Sequence, residues 1–291
     1  MRAIHGSMLR IAVALALVLA AAGAQAAPAR RVVSMNPSLS AMLLALGAGD
    51  TLVAADEWSH RNHPELAGRP NVGGLTDPSL EVVVAAQPDL VVLVPSFEQR
   101  DFRARLEAVG IEVLALDPKS FEDVLGAIGT LGRAVGRSAA AEARIAAIRR
   151  ARDAVETAVR DLRHPSVVFV LQREPLFVVG SGSFISEMLE SAGARNLGAE
   201  LDGPYPRAAL EWLVARAPEA LLDSSTDPQP APDYWAQLPS LPAVRDQRVV
   251  GLGPGTATLP GPWLDRAVWT VACAVHGSRL PSCADRAELR P

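Results

Sequence analysis

The sequence predicts an α/β protein of two similar lobes with central parallel sheets, joined by one long α-helix. The first observation behind this is an internal repeat: residues 79–93 read SLEVVVAAQPDLVVL and residues 209–223 read ALEWLVARAPEALLD. Leu80/Leu210, Glu81/Glu211, Val84/Val214, Ala85/Ala215, Pro88/Pro218 and Asp89/Glu219 each stand 130 positions apart. A weaker echo pairs Ser40, Met42, Leu43, Gly47 and Ala48 with Ser186, Met188, Leu189, Gly193 and Ala194. The second observation is the alternation of short β-rich apolar runs with helical stretches, the pattern of parallel sheets covered by helices. The third is the uninterrupted helical segment 138–163 between the copies. Two copies imply two lobes with a cleft between them. An acidic residue repeated on each lobe suggests a partner that is itself two-fold.

The chain starts with a segment that reads as an address rather than as fold. Arg2 and Arg10 form a positive stretch before a short apolar run, Ile11–Gly23, and Ala24-Gln25-Ala26 is a small-residue cleavage site. The run is shorter than the roughly 20 residues that span a bilayer. A cleavable signal peptide over residues 1–26 is expected, and no Cys follows it to carry a lipid, so a soluble periplasmic protein starting near Ala27 is expected. Its removal takes two arginines and moves the net charge from −4 to about −6. That balance leaves no electrostatic footprint for nucleic acid.

In the first lobe, residues 27–137, Arg31–Met35 suits a buried strand. Asn36-Pro37-Ser38 breaks it, and Leu39–Leu46 is a helix stopped by Gly47. Thr51–Ala55 is the next strand, and Thr76-Asp77-Pro78-Ser79 starts a helix, with Asp or Thr as cap and Pro at the first helical position. Asp89–Val94 is a strand buried on both faces; Phe102–Val109, Gly110 and Ile111–Leu116 repeat helix, glycine, strand. Residues 138–163 hold no Gly or Pro, and Ile145, Ile148, Val155, Val159 and Leu162 recur at helical spacing. Such a helix is roughly 39 Å long. A strut of that kind implies small lobe motions rather than a wide clamshell. The second lobe, residues 164–291, opens with the strand Val167–Leu171. Cys273 and Cys283 are the only cysteines. An oxidising compartment suits a disulfide between them, and two thiols without neighbouring Cys or His make a poor metal site.

The strand–Pro–Ser–helix–Gly opening, the SLEVVVAAQPDLVVL segment, the long central helix and the second copy ALEWLVARAPEAL carry a resemblance. The whole chain after residue 26 resembles the helical-backbone class of periplasmic substrate-binding proteins of ABC importers, which serve cobalamin, haem and ferric siderophores. Gly203-Pro204-Tyr205-Pro206 followed by Glu211, with Leu171-Gln172 and Pro175-Leu176-Phe177 before it, looks most like the cobalamin-binding members. The resemblance implies a non-enzymatic, monomeric receptor without a cofactor or metal site of its own. It would hold cobalamin or a related corrinoid in the cleft and deliver it to an ABC permease dimer in the inner membrane.

In this family a surface glutamate on each lobe pairs with permease arginines, and the matching positions are Glu81 and Glu211. Each falls in the first turn of its helix, where the macrodipole alone favours an acid by roughly 0.3–1 kcal/mol. Duplication at one register adds the argument for docking, since two distant acids fix orientation on a two-fold partner. For the ligand, Trp58, Phe177 and Tyr205 match positions that line the cobalamin site, and Phe97 stands near where an aromatic would follow the DLVV strand. Trp58 is expected on a loop, Asp56-Glu57-Trp58-Ser59. Flat rings stacking on a corrin or porphyrin edge would hold it by burial; covering the lobe cores is the plainer role for the same residues. The smooth Gly253–Thr258 stretch departs from the polar contacts of cobalamin binders, which keeps haem and ferric siderophores open.

Other functions leave weaker marks. His60 and His63 are the one close histidine pair, in a polar turn beside Asn62 and Pro64. Haem would call for an axial ligand from Tyr205, Tyr234 or a loop His, and an anionic siderophore for Arg207 or Arg173. Gly180-Ser181-Gly182-Ser183 before a helix is able to cradle an anion, the one hint of an exported α/β enzyme. It lacks the Walker lysine, and the sequence has no G-x-S-x-G or H-E-x-x-H.

Overall fold

The computed structural model describes residues 27–96, 100–253 and 255–283. The expected signal segment and Phe97 lie outside the described residues. The first lobe opens on β1 (Val32–Ser34), α1 (Pro37–Ala45) and β2 (Leu52–Ala55). Asn36 caps α1 by accepting the Ser38 N–H at 2.9 Å. Pro37 takes the first helical position, where no N–H is needed, so the helix starts two residues before the expected Leu39. Directly after β2 comes α2 (Glu57–Asn62), where a loop was expected. Its cap is Asp56, whose carboxylate accepts the backbone N–H groups of Trp58 and Ser59 at 2.9 and 3.1 Å.

The lobe continues with α3 (Leu80–Ala85), β3 (Leu90–Leu93), α4 (Arg100–Ala108) and β4 (Val113–Ala115). The cap of α3 is Ser79, accepting from Val82, rather than Thr76 or Asp77. Asp77 instead ties back to the Gly74 N–H at 3.1 Å. The sheet order is β2-β1-β3-β4, parallel throughout. Two helices leave this lobe: α5 (Phe121–Ala134), held by a capping box between Ser120 and Asp123, and α6 (Ser138–Val159). The long helix is thus 22 residues, about 33 Å. It stops short of the expected Arg163, with the Leu162 N–H turning back to the Val159 carbonyl at 2.9 Å.

The second lobe contains β5 (Ser166–Gln172), β6 (Phe177–Val178), α7 (Phe184–Ser191), β7 (Arg195–Asn196), α8 (Leu210–Arg216) and β8 (Ala220–Asp223). It closes with α9 (Ala231–Trp235), α10 (Pro242–Arg245), β9 (Val249–Gly251) and α11 (Leu264–His276). A disulfide joins Cys273 of α11 to Cys283. Strands β7, β5, β8 and β9 are parallel; β6 runs antiparallel on the same edge of β5 as β7.

The 130-residue repeat has a structural counterpart residue by residue. Leu90–Leu93 and Ala220–Asp223 are equivalent strands beside β1 and β5, and α3 and α8 are equivalent helices. Gln87 and Ala217, also 130 apart, both take the left-handed conformation that turns helix into strand, at φ +45° and +46°. Even the duplicated acid before the strand has one job. Asp89 accepts the N–H groups of Arg30 and Arg31, and Glu219 accepts the N–H of Ser166, so each acid anchors the start of its lobe's first strand.

Side chains alternate across both sheets as strand geometry requires. Val33, Val91 and Leu93 enter a core private to the first lobe; Val168, Val170 and Leu221 enter one private to the second. Val32, Leu90, Val92, Val167, Phe169, Ala220 and Leu222 all face one common core. Ile148, Val155 and Val159 of α6 fill its middle, with α5 packed on one side and α11 on the other.

Candidate functional site

In parallel sheets, ligand sites form where chains leave the C-terminal ends of strands. Here β1 ends into α1, β2 ends into α2, and β9 ends into the segment 252–263. These three exits wall a cavity of about 490 Å³. Pro37, Ser38 and Ala41 come from α1; Trp58 and Asn62 come from α2, with His63 just after it. The second lobe supplies Gly255, Thr256, Thr258, Leu259 and Trp263 before α11. The volume lies inside the range of small-molecule pockets, and the lining is mostly apolar, as such sites require.

Two tryptophans dominate the walls. Trp58 keeps 52% of its surface exposed and Trp263 keeps 47%, although both are large apolar rings. Each is steadied by guanidinium groups over its face: Arg61 at 4.7 Å from the Trp58 ring, Arg144 at 5.3 Å and Arg266 at 5.2 Å from the Trp263 ring. Arg144 projects from α6, donates to the Pro262 carbonyl and pairs with Asp265. The long helix therefore sets one wall of the cavity as well as joining the lobes. Trp58 is positioned by a second device. Buried Asp56 also accepts from Ser59 Oγ, and Ser59 Oγ meets Ser40 Oγ at 2.7 Å, tying α2 to α1. Burial pushes the Asp56 carboxyl above its usual range, against the lowering by Ser59.

Of the residues expected to line the cleft, only Trp58 borders this cavity. Phe177 and Tyr205 share a different surface, the antiparallel edge made by Val178 N–H to Pro206 O at 3.1 Å and Gly180 N–H to Pro204 O at 2.8 Å. The Tyr205 hydroxyl titrates above its usual range, because burial outweighs its hydrogen bond to Ser183. Phe97 lies outside the described residues. Trp263 and Arg144 were not legible as site residues, since Arg144 and its partner Asp265 stand 121 positions apart.

Several alternatives lose their residues. Arg173, a candidate for an anionic siderophore, is buried in the second lobe, where it donates to Asp223 at 2.9 Å. Trp235 donates to the same carboxylate at 2.6 Å, so the group closes a structural network. The Tyr234 hydroxyl donates to Glu174 at 2.9 Å, and burial with that carboxylate pushes its pKa to about 12. Gly180–Ser183 is a helix start: Ser183 caps α7, and the Phe184 N–H is taken by the Lys119 carbonyl at 2.7 Å. No group of three or more His, Cys, Asp or Glu able to hold a metal ion exists among the described residues.

Glu81 and Glu211 are exposed, each the second residue of its helix. Both helices lead through a short turn into the start of a parallel strand, so their first turns lie at the C-terminal edges of the sheets, the cavity side. Val84 and Val214 are exposed on the same helices at 44% and 39%, again 130 positions apart.

Two α/β lobes, one rigid helix between them and a cavity walled by both define a two-lobed solute-binding fold. The chain belongs to the periplasmic binding protein family, whose pattern matches residues 32–255. It is 26% identical over 237 residues to a vitamin B12-binding protein of Vibrio parahaemolyticus, covering 81% of this chain and 85% of that one. The periplasmic vitamin B12 binding protein BtuF of Vibrio cholerae shares the fold at TM-score 0.74 and 22% identity, over 89% of this chain and 99% of that one. A periplasmic heme binding protein from Pseudomonas aeruginosa superposes at TM-score 0.73 with 28% identity, over 87% and 94% of the two chains.

Proposed function

We propose that this protein is a non-enzymatic periplasmic receptor that captures cobalamin or a related corrinoid between its lobes and hands it to an ABC permease. The observation that carries this reading is the pair of half-exposed tryptophans, Trp58 and Trp263, brought to one apolar cavity from two different lobes. A flat macrocycle offers a face to each ring. Phe177 and Tyr205 would meet the parts of a large ligand that extend beyond the cavity, and Phe97 stays a candidate contact. Glu81 and Glu211 would orient a monomeric receptor on a two-fold permease, with Val84 and Val214 beside them. The relatives' names support cobalamin, and the leading residues 1–26 fit export. Haem is the second reading, supported by the 28% identity to a heme binder.

The test is calorimetric titration of the refolded, ligand-free protein with cyanocobalamin, with haemin in parallel. One-to-one binding of cyanocobalamin at sub-micromolar strength is the expected result. A response to haemin alone would transfer the ligand to haem and keep the receptor reading. Turnover of the bound ligand would refute a receptor.

A further inference from the structure

Among the described residues, His63 is the one cavity-lining side chain able to bind a transition metal through nitrogen or sulfur. The other described histidines are engaged or placed elsewhere. His60 Nε2 lies 3.3 Å from the Pro70 carbonyl, His276 Nε2 lies 2.7 Å from the Ala192 carbonyl, and His164 does not border the cavity. Both tyrosines are held away from it by Ser183 and Glu174. The His63 ring, half-buried, has no hydrogen-bond partner among the described residues. Its placement follows from the sequence: Pro64 forbids helical backbone at the residue before it. His63 therefore ends α2 in an extended conformation, φ −132° and ψ 90°.

A single imidazole cannot hold a bare metal ion, and no group of three or more His, Cys, Asp or Glu able to hold one exists among the described residues. It suits a metal that arrives with the rest of its coordination sphere in place. A corrin supplies four nitrogens in a plane, leaving an axial position, and neutral imidazole is the commonest protein ligand for such a metal. We propose that His63 is an axial ligand to the cobalt of a cobalamin whose upper face carries an exchangeable water. The step is a substitution: the cobalt–oxygen bond breaks, water leaves, and an imidazole lone pair forms the cobalt–nitrogen bond with no change of oxidation state. This rests on the cobalamin reading above and deepens it. The receptor would select aquacobalamin over cyanocobalamin, in which cyanide blocks that face.

The experiment compares the absorption spectra and affinities of aquacobalamin and cyanocobalamin with wild-type protein, His63→Ala and His63→Gln, each checked for folding by thermal melting. On wild type, the aquacobalamin bands should move to longer wavelength, as they do when imidazole replaces water, while the cyanocobalamin bands stay. Both variants should lose the shift. Their affinity for aquacobalamin should fall by at least about tenfold more than their affinity for cyanocobalamin. Should only one variant fold, that variant decides. Binding of aquacobalamin without a spectral shift overturns the ligation and leaves the cobalamin receptor standing. A shift that survives in the variants also overturns it. Failure to bind either cobalamin removes both.

Discussion

Replacing Trp58 or Trp263 by alanine tests the cavity most directly. A fully covered indole buries roughly 200 Å². About half of each ring still faces outward, 52% for Trp58 and 47% for Trp263, so roughly 100 Å² of each is available to a ligand. At about 25 cal/mol per Å² the loss is about 2.5 kcal/mol per ring, or about 70-fold in Kd. Side-chain ordering on binding takes back part of this, so about 20- to 70-fold per single variant is the expected range. Calorimetric titration with cyanocobalamin measures it, and thermal melting should fall as well, because the other half of each ring is buried and is lost with it. Tyr205→Ala and Phe177→Ala, outside the cavity, should cost only a few fold. If both tryptophan variants bind within threefold of wild type while Tyr205→Ala abolishes binding, the ligand sits on the Phe177–Tyr205 edge and the cavity assignment is refuted.

Removing both Glu81 and Glu211 by alanine should leave cobalamin affinity unchanged and reduce uptake through a reconstituted permease by several fold; lost ligand binding would contradict a rim role. Ala217→Gly should raise stability by about 1 kcal/mol in urea denaturation, because glycine accepts the left-handed backbone that alanine holds at φ +46° on an exposed turn. An unchanged or lower midpoint would place the turn's cost elsewhere. Buried His276 has its pKa lowered, first by desolvation. The unfolded chain therefore binds a proton more readily, so stability is full above the ordinary histidine pKa of about 6.5 and falls as pH drops below it, by at most about 1.4 kcal/mol per pH unit. Urea melts at pH 7.5 and 5.5 should show the loss, and His276→Gln should flatten it; a slope unaltered in the variant would assign the pH dependence to another group.

The lobes and their matched elements were legible because their signals are local. Strand runs, glycine stops and the Pro88 and Pro218 breaks occur within a few residues, and the 130-residue register carried them over to β3 and β8. Helix α2 was missed as a helix because six residues give little periodicity. Its identity rests on the Asp56 cap, a signal present in the sequence but overshadowed by Trp58. The cavity was half legible. Trp58 stood out by its place after a strand, but Trp263 becomes a wall only through Arg144, whose partner Asp265 lies 121 positions away. No pattern in a window of ordinary length contains both. Arg173 shows the reverse case: an arginine that an anionic siderophore would call for is consumed by Asp223, 50 positions on.

The apolar layer shared by both sheets bears on what a half of this protein would be. Cutting the chain inside α6 would leave α1 and α5 over the first sheet and α7 and α11 over the second, but would split the helix whose Ile148, Val155 and Val159 both sets pack against, opening apolar helix faces on each fragment. Such faces invite aggregation. The two copies in the sequence are therefore not two spare parts: one helix is core to both, and the chain has to be synthesised whole before either half is safe in water.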